Sequence, residues 1–296
     1  AIKVTTGDTY SPLPIETDIT RLERFALMQG KDFLRVEPNI TRNDRTLTLD
    51  IEYKLSNGPR VFVERIDIKG NATTLDKVIR RQFNVVEGDP FNPREIRQSA
   101  ERIKALGYFS QSKVEPREGS SPDQVIIDVS VVEQPTGSLG FGGTYASTTG
   151  LGAEITFEEG NFLGRGQALG LAISTATTNK KLEFSFREPA FLGRDLSAGI
   201  GLSYVSYTPD DVSFQSNTTS FSPSIGFPLT EYSALNLSYN LSTSKVATGL
   251  TTSAFVSGVI KDEVAKGDVL NSSIGYTYTY DNRRKGLNTN SGALFQ

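Results

Sequence analysis

Cysteine and histidine are both absent from this 296-residue sequence. Without cysteine there are no disulfides, no cysteine–zinc sites and no thiol catalysis. Without histidine the usual general base is missing, and a Ser-His-Asp triad is impossible. No apolar run approaches the ~18–20 residues of a membrane-spanning helix. Positive charge is not in excess either. The 31 Lys+Arg stand against 34 Asp+Glu, a net charge of −3, which speaks against a nucleic-acid binder. A membrane role survives these absences, because a spanning strand needs only ~9–11 alternating residues. At 37% hydrophobic and 22% charged the chain is too apolar for disorder. Its length suits roughly two domains.

Charge and glycine divide unevenly about Gln134. Residues 1–134 hold 41 charged side chains and 7 glycines, and residues 135–296 hold 24 and 20. Pro135-Thr136-Gly137 marks the seam between a water-soluble part and one with half the charge density and far more glycine.

The first part contains a repeat. Gly7-Asp8-Thr9-Tyr10-Ser11-Pro12 matches Gly88-Asp89-Pro90-Phe91-Asn92-Pro93, and Val36-Glu37-Pro38 matches Val114-Glu115-Pro116. Between these anchors each copy predicts a helix ending at a glycine, Gly30 or Gly107. Each then predicts an alternating strand, Leu47/Leu49/Ile51/Tyr53 in one copy and Val125/Ile127/Val129/Val131 in the other. The second copy is complete. A strand runs from Arg60 to Lys69 and turns at Gly70-Asn71. Thr73 and Asp76 form a capping-box pattern for a helix with Leu75, Val78, Ile79 and Phe83 on one face. Asn92, Pro93 and Glu95 start a second helix with Ile96, Ala100 and Ile103 on its inner face. Strands follow near Ser112–Arg117 and Gln124–Glu133. The order is β-α-α-β-β, a small α+β domain over 59–134, preceded by a partial copy over 1–58. The first copy begins inside its repeat unit, so the sequence is expected to be a piece of a longer chain.

Residues 135–296 alternate apolar with small polar residues. The runs are Leu151/Ala153/Ile155/Phe157, Leu169/Leu171/Ile173, Leu182/Phe184/Phe186 and Leu196/Ala198/Ile200/Leu202/Tyr204. They continue at Phe221/Ile225/Phe227 (interrupted by Pro223), Leu235/Leu237/Tyr239/Leu241 and Ile274/Tyr276/Tyr278/Tyr280. With Gly137–Ser147 these make eight strands, and a ninth begins at Gly292–Gln296. An apolar face opposite a polar face this poor in charge predicts a barrel with lipid outside and water inside. A soluble β-sandwich shares the alternation and is the competing reading.

Several motifs imitate chemistry. Ser110–Lys113 and Ser242–Lys245 match S-x-x-K without K-T-G or S-D-N companions, and each falls near a predicted strand. Gly164-Arg165-Gly166 with Gly170 nearly matches G-x-G-x-x-G but precedes a strand, so a hairpin turn is expected. Asp262, Glu263 and Asp268 read as a solvated loop ahead of a cation site. Arg283-Arg284-Lys285 reads as a turn ahead of a lipid-headgroup contact. No catalytic residue, cofactor or metal site is predicted.

Gly70-Asn71, Glu87-Gly88-Asp89 and Leu106-Gly107-Tyr108-Phe109 make the repeat resemble a POTRA domain. Glu133-Gln134-Pro135-Thr136-Gly137-Ser138-Leu139, Asn161-Phe162-Leu163-Gly164-Arg165-Gly166 and Tyr280-Asp281-Asn282-Arg283 resemble the barrel of the POTRA-plus-barrel outer-membrane protein assembly factors. The resemblance implies α+β POTRA repeats followed by an antiparallel transmembrane β-barrel, of which 135–296 supply the N-terminal half. It implies periplasmic POTRA domains and a barrel in the bacterial outer membrane. It also implies folding and insertion of β-barrel proteins, with unfolded outer-membrane protein clients, accessory assembly lipoproteins and lipid as partners and no nucleic acid. A TamA-like translocation protein or a two-partner secretion pore of the same family is the alternative, and a passive porin-like channel is disfavoured by the POTRA repeats. Two sites follow from the resemblance. One is a lateral-gate strand, Gly137, Ser138, Leu139, Gly140, Phe141, Gly142, Gly143, Thr144 and Tyr145, whose glycines weaken its pairing. The other is a POTRA edge strand, Ser112, Lys113, Val114, Glu115, Pro116 and Arg117, open to strand addition by a client or partner, the competing reading being an edge guarded against it by Lys113, Glu115, Pro116 and Arg117.

Overall fold

The computed structural model describes all residues except 1, 32, 59, 148–149, 209–213, 231, 249–255, 282 and 284–292. The chain divides into two compact units, Ala1–Gly70 with Ile79–Val132, and Asn71–Val78 with Glu133–Gln296.

In the first unit the partial repeat is a helix, α1 (Pro12–Met28), under an antiparallel hairpin of β1 (Leu34–Asn43) and β2 (Thr48–Asn57). Ile15, Ile19 and Val36 are buried between them. Leu47 does not join the strand as its alternation predicts. It lies before β2 at φ 54 and is 83% exposed, so the turn's left-handed backbone overrides the pattern.

The complete repeat runs β3 (Phe62–Lys69), α2 (Asp76–Arg80), α3 (Pro93–Ala105), β4 (Phe109–Glu118) and β5 (Gln124–Glu133), with strand order β3-β5-β4. The pairing of β3 with β5 is parallel. Its register slips between Val63 and Arg65, and this bulge is why the apolar phase moves from Val61 and Val63 to Ile66 and Ile68. On α3, Asn92 accepts a hydrogen bond from the Arg94 amide at 3.0 Å, as its capping position predicts. Ile96, Ser99 and Ile103 form the buried face, packed with Phe109, Ile127 and Val129. The helix expected from Thr73 is shorter than the pattern suggests. Only Asp76–Arg80 is helical, although Val78, Ile79 and Phe83 are buried as predicted.

The two copies share backbone geometry as well as sequence. Gly7 and Gly88 sit at φ 100 and 94, and Gly30 and Gly107 at φ 71 and 73. In both copies an aspartate one residue after the first glycine accepts from the amide three residues back, Thr5 to Asp8 and Val86 to Asp89, each at 2.8 Å. A side chain without glycine's left-handed freedom would strain both turns.

The second unit is a nine-stranded antiparallel meander: β6 (Gly137–Ala146), β7 (Gly150–Phe162), β8 (Gln167–Ala176), β9 (Asn179–Glu188), β10 (Ser197–Tyr207), β11 (Phe214–Thr230), β12 (Ser233–Thr248), β13 (Asp268–Asp281) and β14 (Leu294–Phe295). Register aligns its outer face into an unbroken apolar row, Leu139, Phe157, Leu171, Phe184, Leu202, Phe221 and Leu241. The opposite face carries Gly140, Thr156, Ala172, Glu183, Ser203, Ser220 and Ser242 in register. A sheet with one apolar face and one face of small polar residues suits lipid on one side and water on the other. At Pro223 the ladder to β12 passes from Phe221 to Ser224, as a missing donor requires. Residues 258–266 form a helix, α4 (Gly258–Lys266), capped by Ser257, where a loop was expected. Among the described residues no helix is long and apolar enough to cross a membrane, which says nothing of strands.

Candidate functional site

All of Gly137–Tyr145 lies in β6, which pairs along its whole length with β7 and forms one margin of the meander. Leu139, Phe141 and Tyr145 are exposed on the apolar face, Phe141 at 74%. The four glycines of the strand differ in kind. A Cβ at Gly137 would stand 2.7 Å from a Glu159 carboxylate oxygen, and one at Gly140 2.5 Å from the Thr156 hydroxyl. At Gly142 and Gly143 the nearest atoms are 3.9 Å away. Close approach therefore bears on Gly140, and on Gly137 only so far as the Glu159 carboxylate is held in place, and does not account for the second two. The latter remove side chains that the space would accept, at a cost in strand order.

Ser112–Arg117 lies in β4, a margin of the three-stranded sheet. Val114 packs on the core, while Lys113, Glu115, Pro116 and Arg117 are exposed. The edge is charged and ordered. Lys113 pairs with Glu115 at 2.9 Å, and Arg117 spans to Asp128 at 2.6 Å and Asp67 at 3.0 Å. Burial acts to raise the Asp67 pKa, but hydrogen bonds and charge from Arg65 and Arg117 outweigh it and hold the carboxyl below its usual range. Strand addition here would have to leave these pairs in place or displace them.

A third cluster was legible only as a motif. The loop Asn71–Leu75 is seated on the turn between β7 and β8. Leu75 donates its amide to the Gly164 carbonyl at 2.8 Å, and Asn161 donates its side-chain amide to the Thr74 hydroxyl at 2.9 Å. The Asn161 side-chain oxygen accepts from the Gly166 amide at 2.7 Å. A Cβ at Gly164 would lie 1.9 Å from the Thr73 carbonyl oxygen, so only glycine lets the two backbones meet. Glu133, at the end of β5, accepts from the Thr73 amide at 2.9 Å and the Thr74 amide at 2.6 Å. It takes the place of the predicted capping box, and Asp76 instead accepts from the Asn71 side chain at 2.8 Å. Burial acts to raise the Glu133 pKa, but the hydrogen bonds from Thr74 and Thr73 prevail and lower it.

The imitations of chemistry resolve as structure. Each S-x-x-K lies on a strand, where residues three apart face opposite sides, and Ser110 donates to the Val132 carbonyl. Gly164-Arg165-Gly166 is a hairpin turn. Glu263 pairs with Lys266, and Asp268 with Lys245. Among the described residues no group of three potential ligands could hold a metal. Arg283 closes a turn on Asp281, while Asn282, Arg284, Lys285 and Gly292 lie outside the described residues.

Family comparison agrees with both halves of this architecture. The Omp85 superfamily domain matches residues 161–296, and the POTRA family, described as a surface antigen variable number repeat, matches residues 61–134. Residues 161–296 are an Omp85 superfamily domain, and the chain resembles the BamA-like proteins of that superfamily. The outer membrane protein assembly factor BamA of Neisseria meningitidis serogroup B is 32% identical over 138 residues, 46% of this chain and 17% of that protein. BamA of Buchnera aphidicola is 27% identical over 244 residues, 80% of this chain and 39% of that protein. The match to these relatives thus spans well under half of their length. The crystal structure of Haemophilus ducreyi BamA lacking POTRA domains 1–3 shares the fold over 99% of this chain and 57% of its own, with a TM-score of 0.63 at 21% identity. CdiB from Acinetobacter baumannii shares it over 93% of this chain and 52% of its own, with a TM-score of 0.53 at 10% identity. The Omp85 strands belong to the outer membrane and the POTRA repeats to the periplasm.

Proposed function

We propose that this chain is the part of an outer-membrane assembly factor that receives unfolded β-barrel clients and inserts them, with β6 as the strand on which an incoming client strand is laid. The observation that carries the reading is β6 itself: a marginal strand with two glycines that sterics do not require. Backbone hydrogen bonds at such a margin accept varied client sequences, and burial of the client's apolar face in lipid drives the step. In this reading no covalent bond is made or broken and no nucleotide or cofactor is used. The edge strand Ser112–Arg117 offers a second place for an extended client segment or an accessory lipoprotein, and its charged pairs restrict what it accepts.

A cysteine scan tests this in the full-length protein, reconstituted in lipid, because the present sequence contributes no cysteine. Single cysteines are introduced at 138 to 145 and challenged with a client stalled during insertion and carrying a cysteine in its terminal strand. Disulfides forming every second residue along β6, in one register, are the expected result. Uniform or absent cross-linking overturns the templating role. A substrate that cross-links transiently and leaves the membrane favours translocation.

A further inference from the structure

We propose that the turn Phe191–Arg194, between β9 and β10, is a second seat for the loop Asn71–Leu75. The two connections share a core, although four residues separate β7 from β8 and eight separate β9 from β10. Glu159-Gly160-Asn161-Phe162-Leu163-Gly164-Arg165 and Glu188-Pro189-Ala190-Phe191-Leu192-Gly193-Arg194 share the pattern E-x-x-F-L-G-R, 29 positions apart. They also share geometry. Leu163 and Leu192 stand at φ 53 and 57, and Gly164 and Gly193 at φ 69 and 70. In each, the arginine amide donates to the phenylalanine carbonyl at 3.1 Å, and the glutamate accepts from the amide two residues on, at 2.7 and 2.9 Å.

A leucine held in the left-handed region is strained, and a turn of this type is ordinarily made from Asn, Asp or Gly. Both leucines are also exposed, at 65% and 77%. Keeping this arrangement twice calls for a reason, and at the first copy the reason is visible. The Gly164 carbonyl and the bare face of its Cα receive Leu75 and Thr73. At the second copy a Cβ on Gly193 would meet nothing within 4 Å. Among the described residues, that face of Gly193 is uncovered.

The loop is built to travel. Thr73 and Thr74 are braced by Glu133, and Asn71 bonds the Thr74 carbonyl and Asp76, so its shape does not depend on the turn beneath it. The two turns are separated by two strand spacings, about 10 Å. The second seat has Asp195 in place of Gly166, and it lacks the one side chain that bonds the loop. Ala190 stands where Asn161 bonds the Thr74 hydroxyl. The loss of one net hydrogen bond predicts an occupancy roughly tenfold below that of the first seat.

The test uses the full-length protein in the outer membrane and a short bismaleimide. Three cysteine pairs are compared: Ala72→Cys with Arg165→Cys, Ala72→Cys with Arg194→Cys, and, as a collision control, Ala72→Cys with Leu229→Cys. Retention of heat-modifiable migration reports an intact barrel in each. The first pair links efficiently, and the second links weakly but above the control. Ala190→Asn, which restores the missing amide, raises the second pair several-fold. Asn161→Ala lowers the first pair and raises the second. The proposal is overturned if the second pair stays at the control level in both variants, or if the first pair itself fails to link. It is independent of what the protein inserts or exports.

Discussion

Glu133 shows how much can hang on one carboxylate. It accepts from two successive backbone amides, Thr73 and Thr74, and so fixes the loop that meets the β7–β8 turn. Its pKa is lowered in the folded state. A group shifted this way stabilises above its unfolded pKa of ~4.3, and the contribution is lost as pH falls through the folded value. Glu133→Gln is therefore expected to weaken the loop by about 1–2 kcal/mol at neutral pH, since bonds to a charged acceptor are the stronger kind. Amide exchange of Thr73 and Thr74 in the full-length protein reads this directly. Their protection factors fall in the variant at pH 7. In the native protein they fall only at a pH below the ordinary glutamate range, where the variant no longer differs from it. Equal protection at neutral pH would remove Glu133 from this role. The sequence hid the arrangement behind a capping box, because a local pattern of Thr73 and Asp76 cannot reveal that a carboxylate sixty residues away reaches the amides first.

At the scale of the element, β6 has four glycines with two different consequences. Gly143→Val adds a β-branched side chain on the apolar face where the nearest atom is 3.9 Å away. It is expected to tighten β6 by about 0.5–1 kcal/mol, slowing its amide exchange and, if the strand must open to receive a client, slowing insertion in proteoliposomes. Gly140→Val meets the Thr156 hydroxyl and has the opposite effect on exchange. Slower exchange with unchanged insertion would argue against an opening seam. Strands such as β7 and β10 were legible because alternation of Leu, Ile and Phe with small polar residues survives any register. The turns between them were not. Leucine at a positive φ contradicts the local preference that a reading of turns depends on, so the second occurrence of E-x-x-F-L-G-R went unread. The helix α4 went unread because nine residues give too short a window for its period to stand out. For β4, the sequence carried both the marginal strand and its guard of Lys113, Glu115, Pro116 and Arg117, and the ion pairs with Asp67 and Asp128 add a tether that spacing alone could not show.

For the whole molecule, the division into a charged and a glycine-rich part was plain in composition, and the POTRA repeat in its ordered anchors. The assignment of Asn71–Val78 to the same compact unit as the meander was not. Nothing in that segment's composition sets it apart. Only its contacts with Asn161 and Gly164 do.

Within the POTRA unit the two repeats are stitched together side chain by side chain. Arg94 of the second reaches Glu16 and Glu23 of the first, Arg35 reaches the Phe91 carbonyl, and Phe33 meets Phe62 edge-on at 5.3 Å. Arg94 and Glu23 are largely withdrawn from water, so removing either side chain would leave the other's charge buried without its partner. A hinge absorbs force, whereas a stitched joint delivers it. Pulling on the N-terminal repeat by optical tweezers is expected to give one rupture for both repeats, and Arg94→Ala to split it into two. Two ruptures in the unaltered protein would mean that the joint bends. With a single rupture the pair is a lever, and a pull at the end of the first repeat reaches the far side of the second undiminished.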